Sequence, residues 1–196
     1  MGHTAVDLRC PNCNSPVRTD QKECEWCHQP VVISTFTSVY DMPVPLVNKY
    51  ANAYRTALSG NPDNTELNKS IAMCYLKLRL YDNAYQAFEK AIRDSFDDSE
   101  IYFYAAICLL KGKKAFLAQR SDIDRAVEYI DAANMIEPKG IYYYFLAYIK
   151  YDFFERKFLN TTPNYRDCLA MAASYGVSEN DRIQLFGILN VAEPAF

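Results

Sequence analysis

From Leu46 to about Asn190 apolar residues recur every three or four positions, the period of amphipathic helices, in stretches parted by turn residues. The stretches come in pairs. NTELNKSIAMCYLKLRL is followed by YDNAYQAFEKAIRD, SEIYFYAAICLLK by DIDRAVEYIDAANMIEP, and GIYYYFLAYIKYDFFERKFL by TTPNYRDCLAMAASYG, before a final SENDRIQLFGILN. Each is too short to be stable alone and must bury its apolar face against a neighbour. Residues 1–37 lack this period; Val17 and the VVIS run at Val31–Ser34 offer short strands instead. Between them TSVYDMPVP carries two prolines that forbid continuous helix, so residues 38–45 read as a linker. The pattern predicts a small β module over 1–37 and a helical domain over 46–196.

The helical part repeats. A step of 34 residues carries Tyr54 to Phe88, Ala57 to Ala91, Ala72 to Ala106 and Cys74 to Cys108, so small residues return to small positions and aromatics to aromatic ones. Residues 64–94 resemble a tetratricopeptide repeat, with Ala72 and Tyr75 on its helix A and Ala84, Phe88 and Ala91 on its helix B. Pro45–Ser59 resembles a lone helix B serving as a cap, and Ser178 opens a closing cap helix. Thr162 with Pro163 is expected to begin the helix before it, and Gly176 to end that helix. The resemblance implies a mostly α fold, a TPR-like α-solenoid of helix-turn-helix repeats behind the β module. It also implies a partner-binding groove on the helix A face, at Lys69, Met73, Leu76, Phe103, Ile107 and Tyr143, flanked by Tyr104 and Tyr144. The carboxylate clamp of chaperone-tail receptors is not expected, because Met73 and Tyr104 stand where that clamp has asparagines. An aromatic and aliphatic groove suits an amphipathic helix or apolar peptide. Tyrosines at this spacing are also ordinary packing residues.

The second pair exceeds the repeat length by eight residues, within GKKAFLAQRSD. Either both helices lengthen or a loop protrudes. Lys111, Lys113, Lys114 and Arg120 make this the most basic place on the chain. Solvated helix ends explain such cations; a docking knob for an acidic partner is the alternative.

The stretch from Cys10 to His28, CPNCNSPVRTDQKECEWCH, holds four of the seven cysteines in two CxxC pairs separated by ten residues. Two facing CxxC turns can supply four thiolates to a tetrahedral ion, the geometry of closed structural Zn²⁺ sites. The last five residues also match the attachment motif of c-type haem, and a CxxC can be a redox dithiol. Haem would leave Cys10 and Cys13 without a role, and the βαβ context of a thioredoxin-like pair is lacking. The stretch resembles short bacterial zinc ribbons, which usually carry glycine where Asn14 and His28 follow the pairs here. Asn and His both reach left-handed backbone more readily than most residues. The resemblance implies one structural Zn²⁺ on Cys10, Cys13, Cys24 and Cys27. Trp26 is expected to roof the small metal core, with a partner-contact anchor as its alternative role.

With 21 basic and 24 acidic side chains among 196 residues, the chain has a net charge of −3 and no global attraction for polyanions. Residues 1–37 carry one more acidic than basic side chain, and four thiolates around a divalent ion deepen the excess. Nucleic acid is therefore disfavoured as a ligand of the ribbon. No apolar run is long enough to span a membrane, no signal peptide is visible, and Cys74, Cys108 and Cys168 sit in apolar helical stretches, which together point to a reducing cytoplasm. The only histidines are His3 and His28, and phosphate-binding and metalloprotease motifs are missing, so no enzyme and no small-molecule substrate is expected. The expected function is a non-catalytic adapter that binds a protein or peptide as a subunit of a larger bacterial assembly. The alternative is a nucleic-acid-associated accessory factor using the ribbon and residues 111–120.

Overall fold

The computed structural model describes residues 5–196, and His3 lies outside them. The chain divides into two compact units, one reaching to Phe96 and one from Asp97 to Phe196.

In the first unit β1 (Asp7–Arg9) pairs antiparallel with β2 (Pro16–Arg18), placing Leu8 opposite Val17 on the buried face. A second hairpin-like turn closes on a bridge between Glu23 and Pro30. A single helical turn, α1 (Thr37–Tyr40), leads to α2 (Val44–Gly60), α3 (Thr65–Lys77) and α4 (Tyr81–Ile92). Pro45 lies in the first turn of α2, where its missing N–H costs nothing. Asn64 caps α3 by accepting from the Leu67 N–H at 2.9 Å. Helix α2 buries Val47, Tyr50, Ala51 and Tyr54, one stripe at helical spacing. In the α3–α4 pair the small Ala72, Ala84 and Ala91 are fully buried and let the helices approach, with Phe88 filling the gap.

Residues 30–40 differ from the expected strand and linker. The Tyr50 and Tyr54 hydroxyls donate to the carbonyls of Pro30 and Val31, each at 2.8 Å. Ser70 pairs with the backbone of Ile33, and the Lys77 ammonium donates to the Tyr40 carbonyl. Val31, Ile33, Phe36 and Val39 are buried. Side chains of α2 and α3 thus satisfy much of this backbone, beside the Val31 N–H that donates to the Lys22 carbonyl at 3.0 Å, and the β module and first helices fall within one compact unit.

The second unit contains α5 (Ser99–Leu109), a 3₁₀ turn at Ala115–Leu117, α6 (Arg120–Ile136), α7 (Gly140–Ile149), α8 (Tyr165–Ser174) and α9 (Glu179–Leu189). Helix α7 runs on through a π turn at Lys150–Phe154 and a 3₁₀ turn at Glu155–Lys157. Asn164, not Thr162 with Pro163, begins α8, because its side chain and that of Asp167 form a reciprocal capping box. Ser178 and Asp181 form the same box at α9. Gly176 follows α8 with φ of 71°, the left-handed stop expected of it. Gly140 starts α7 where a Cβ would lie 2.5 Å from the Gly176 carbonyl oxygen.

The basic insert is part loop, part an early start of α6. Its backbone is held: the Ala115 N–H donates to the Tyr148 hydroxyl at 3.1 Å and the Phe116 N–H to Asp152 Oδ2 at 2.8 Å. Helix α9 and the tail cover α7. Phe186 lies edge-on to Tyr144 and Tyr148, Phe196 packs against Tyr144, Tyr151 and Tyr165, and Glu193 accepts from Tyr144 and pairs with Arg182. Among the described residues no helix is long and apolar enough to cross a membrane. The molecule is mostly helical, with tetratricopeptide-like helical pairs and a small N-terminal β part.

Candidate metal centre and docking cleft

The two CxxC turns adopt the same local structure. The Cys10 N–H donates to the Ser15 carbonyl and the Asn14 N–H back to the Cys10 carbonyl; Cys24 with Gln29, and His28 with Cys24, repeat the two bonds in the second turn. Asn14 (φ 62°) and His28 (φ 55°) occupy the left-handed region that closes each turn. This geometry lets both thiols of a pair converge on the facing pair.

The Sγ atoms of Cys10, Cys13, Cys24 and Cys27 all lie within 4.8 Å of one another. Cys10 and Cys27 are 3.6 Å apart at sulfur, as are Cys13 and Cys24. Four sulfurs about 2.3 Å from a tetrahedral ion are separated by roughly 3.8 Å, so the spacing fits a metal and is far too long for a disulfide. Burial pushes the Cys10 thiol up to about 12, while the Ser15 hydroxyl 3.4 Å from Cys13 Sγ holds that thiol down at about 6. The cluster could hold a metal ion, and a cation there would neutralise thiolates that the buried side of the site otherwise disfavours.

Trp26 does not roof the cluster. It is 73% exposed, because the second turn points its intervening residues to solvent and the core beneath is filled by Leu8, Val17 and Val31 instead.

Beside the metal cluster lies an open cleft of about 1290 Å³, one wall formed by Asp7–Arg18 of the hairpin and the other by α2. The α2 wall includes Lys49, Asn52, Ala53, Thr56, Ala57 and Gly60, a stripe at helical spacing that flanks the face of the buried tyrosines. A step of 34 residues maps Ala53 and Ala57 onto Ala87 and Ala91, which are buried in the α3–α4 pair. In α2 the same small-residue face has no helix A against it. The hairpin stands there and leaves the face partly open. Arg9 and Lys49 on the rim have no ion-pair partner among the described residues.

The expected groove residues fall differently. Met73, Leu76, Phe103, Tyr104, Ile107 and Tyr144 are buried, whereas Lys69 and Tyr143 remain partly exposed. In the second unit α9 and the tail account for part of this, since Phe186 and Phe196 sit on Tyr144. Tyr143 stacks on Tyr175 with ring centroids 5.2 Å apart. Lys111, Lys113, Lys114 and Arg120 are exposed, and Arg120 pairs with Asp124 at 2.7 Å. Sequence reasoning missed the cleft altogether. Its signal was available in the unmatched alanines of a helix B that lacks its helix A.

No protein-family model matches the chain, and no curated protein sequence matches it. Solved structures of MamA are similar in fold. MamA MSR-1 superposes with a TM-score of 0.51 at 15% identity, over 71% of this chain and 82% of its own. MamA AMB-1 gives 0.50 at 15% identity, over 76% and 84% respectively. At such identity the likeness shows the fold alone, a mostly helical architecture of tetratricopeptide-like pairs, here beside a four-cysteine cluster.

Proposed function

We propose that the chain is a non-catalytic adapter of a bacterial cytoplasm, working as a subunit of a larger assembly and binding a protein partner. The cleft beside α2 carries this reading. A face built for a helix A, left without one and lined by Ala53, Ala57 and Gly60, accepts the close approach of a partner helix. Arg9 and Lys49 favour an acidic residue on that helix. Lys69 and Tyr143 are the members of the expected groove that keep surface for further contact.

The metal of this reading is one structural Zn²⁺ on Cys10, Cys13, Cys24 and Cys27, since four thiolates in a closed tetrahedron select it. Its role is architectural: it locks the hairpin that forms the opposite wall. The sulfur spacing and the two left-handed closures support this choice.

The test is recovery of the tagged full chain from its native cytoplasm after nuclease treatment, at low and high salt, beside the A57R variant. Ala57 is partly exposed, so the arginine fills the cleft without entering the core. A stoichiometric protein retained by the wild type at high salt and lost by A57R supports the adapter. Recovery of the same protein by A57R overturns the cleft. Loss of every partner to nuclease would favour the nucleic-acid reading through the cations at 111–120.

A further inference from the structure

The second unit carries two short loops of related sequence, KKAFL at 113–117 and RKFL at 156–159, and the fold sets them side by side. The Phe116 ring lies 4.7 Å from the Arg156 guanidinium and 4.9 Å from the Lys157 ammonium, while its N–H is held by Asp152. Arg120 covers Phe154 at 5.1 Å, closing the same cluster from α6. The Phe116 contacts therefore set the two loops next to each other, with Ala115 buried beneath them and Leu117 and Phe158 left exposed.

What those loops present is unusual for a protein surface. Phe158 is 96% exposed and Leu117 68% exposed, with Leu159 also exposed beside them. Phe158 holds φ at 58°, a left-handed backbone that costs a bulky residue about 1–2 kcal/mol and favours glycine or asparagine. A phenylalanine kept there with no packing contact of its own is poorly explained by folding. The same two segments carry Lys111, Lys113, Lys114, Arg120, Arg156 and Lys157, of which Arg156 and Lys157 lie against Phe116 and Arg120 against Phe154. Asp152 is buried against Arg156, and Asp124 pairs with Arg120; Asp122 and Glu155 are the other acidic groups of these segments. Lys113, Lys114 and Lys157 have no ion pair among the described residues.

We propose that the Leu117 and Phe158 tips and the cations of their two loops form a peripheral docking site for an anionic lipid bilayer. Apolar side chains as exposed as Phe158 and Leu117 stand out from their loops rather than lining a recess for a peptide. They match a soft apolar medium, and the surrounding cations match its acidic headgroups. A single-stranded nucleic acid could stack a base on Phe158 but would leave the aliphatic Leu117 and Leu159 idle, whereas a bilayer takes up all three. The site lies wholly within the second unit and is independent of the cleft beside α2.

The test is co-sedimentation of the full chain with vesicles of phosphatidylcholine alone and of phosphatidylcholine mixed with phosphatidylserine, at low and moderate salt. The variants are F158G and the double change K113Q/K114Q. Binding is expected to the anionic vesicles only, and K113Q/K114Q should weaken it roughly 25-fold, at about fivefold per charge near such a surface. F158G should also weaken binding while melting no lower than the wild type, because glycine takes the left-handed backbone freely. Failure to bind anionic vesicles overturns the proposal. So does binding that F158G leaves unchanged, and so does a single-stranded oligonucleotide bound in place of the vesicles.

Discussion

The Ser70 hydroxyl accepts from the backbone N–H of Ile33 at 3.0 Å and is 3.1 Å from the carbonyl oxygen of the same residue, to which it donates. One side chain of α3 therefore completes both hydrogen bonds of a buried residue 37 positions earlier, just after the metal turns. Substituting Ser70→Ala leaves that N–H and carbonyl buried and unpaired. The expected loss is roughly 2 kcal/mol, read as a lower urea midpoint at unchanged m-value.

Metal should be bound at one ion per chain and released by a strong chelator, by C10S/C24S, or by acid, since protons compete for thiolates as pH falls. Amide exchange should then rise across residues 7–31 while α3 and α4 stay protected, because their core of Ala72, Ala84, Phe88 and Ala91 contains no residue of the metal turns. Unchanged metal content in C10S/C24S would refute the ligand set.

Gly140 and Gly176 meet where α7 and α8 join, and they predict opposite sensitivities to the same change. A Cβ on Gly140 would press on backbone atoms of Gly176 and Ala172 within 2.9 Å, so G140A should cost about 1–3 kcal/mol or more. A Cβ on Gly176 meets nothing, and only its positive φ resists, so G176A should cost about 1 kcal/mol. Thermal melts of the two variants give the ordering directly.

Burial raises the Cys168 thiol from 9.0 to about 11 and the Tyr148 phenol from 10.0 to about 12. Above the ordinary values the unfolded chain has lost these protons and the folded chain retains them. Stability contributed by these groups is thus complete below about pH 9 and is lost as pH rises through 9 to 12, at up to roughly 1.4 kcal/mol per unit for each group. Replacing Cys168 by Ala should flatten the first part of that decline in pH-dependent urea melts.

How much of this could be read from the chain depended on whether the determining contacts were local. The turns at Asn14 and His28, the Ser178 cap, the stop at Gly176 and the repeated Ala72 and Ala106 are set by neighbours within one or two turns, and their residue types announced them. The strand expected at Val31–Ser34 failed because Tyr54 and Ser70, which bond the Val31 and Ile33 backbone, lie on helices whose placement no local pattern reveals. Asn164 displaced Thr162 as a cap through Asp167, a capping box that the sequence did contain. The groove residues were assigned by repeat register, which cannot foresee that Phe186 and Phe196 return to cover Tyr144. Residue type puts Trp26 inside, whereas the second turn offers both of its middle residues, Glu25 and Trp26, to solvent.

The most direct test of the account is hydrogen exchange on the full, metal-replete chain, alone and bound to the protein partner it retains at high salt. The account predicts new protection in two places at once, residues 7–18 of the hairpin and 49–61 of α2, the two walls of the cleft. Protection confined to other segments, with both walls exchanging as in the free chain, would contradict it.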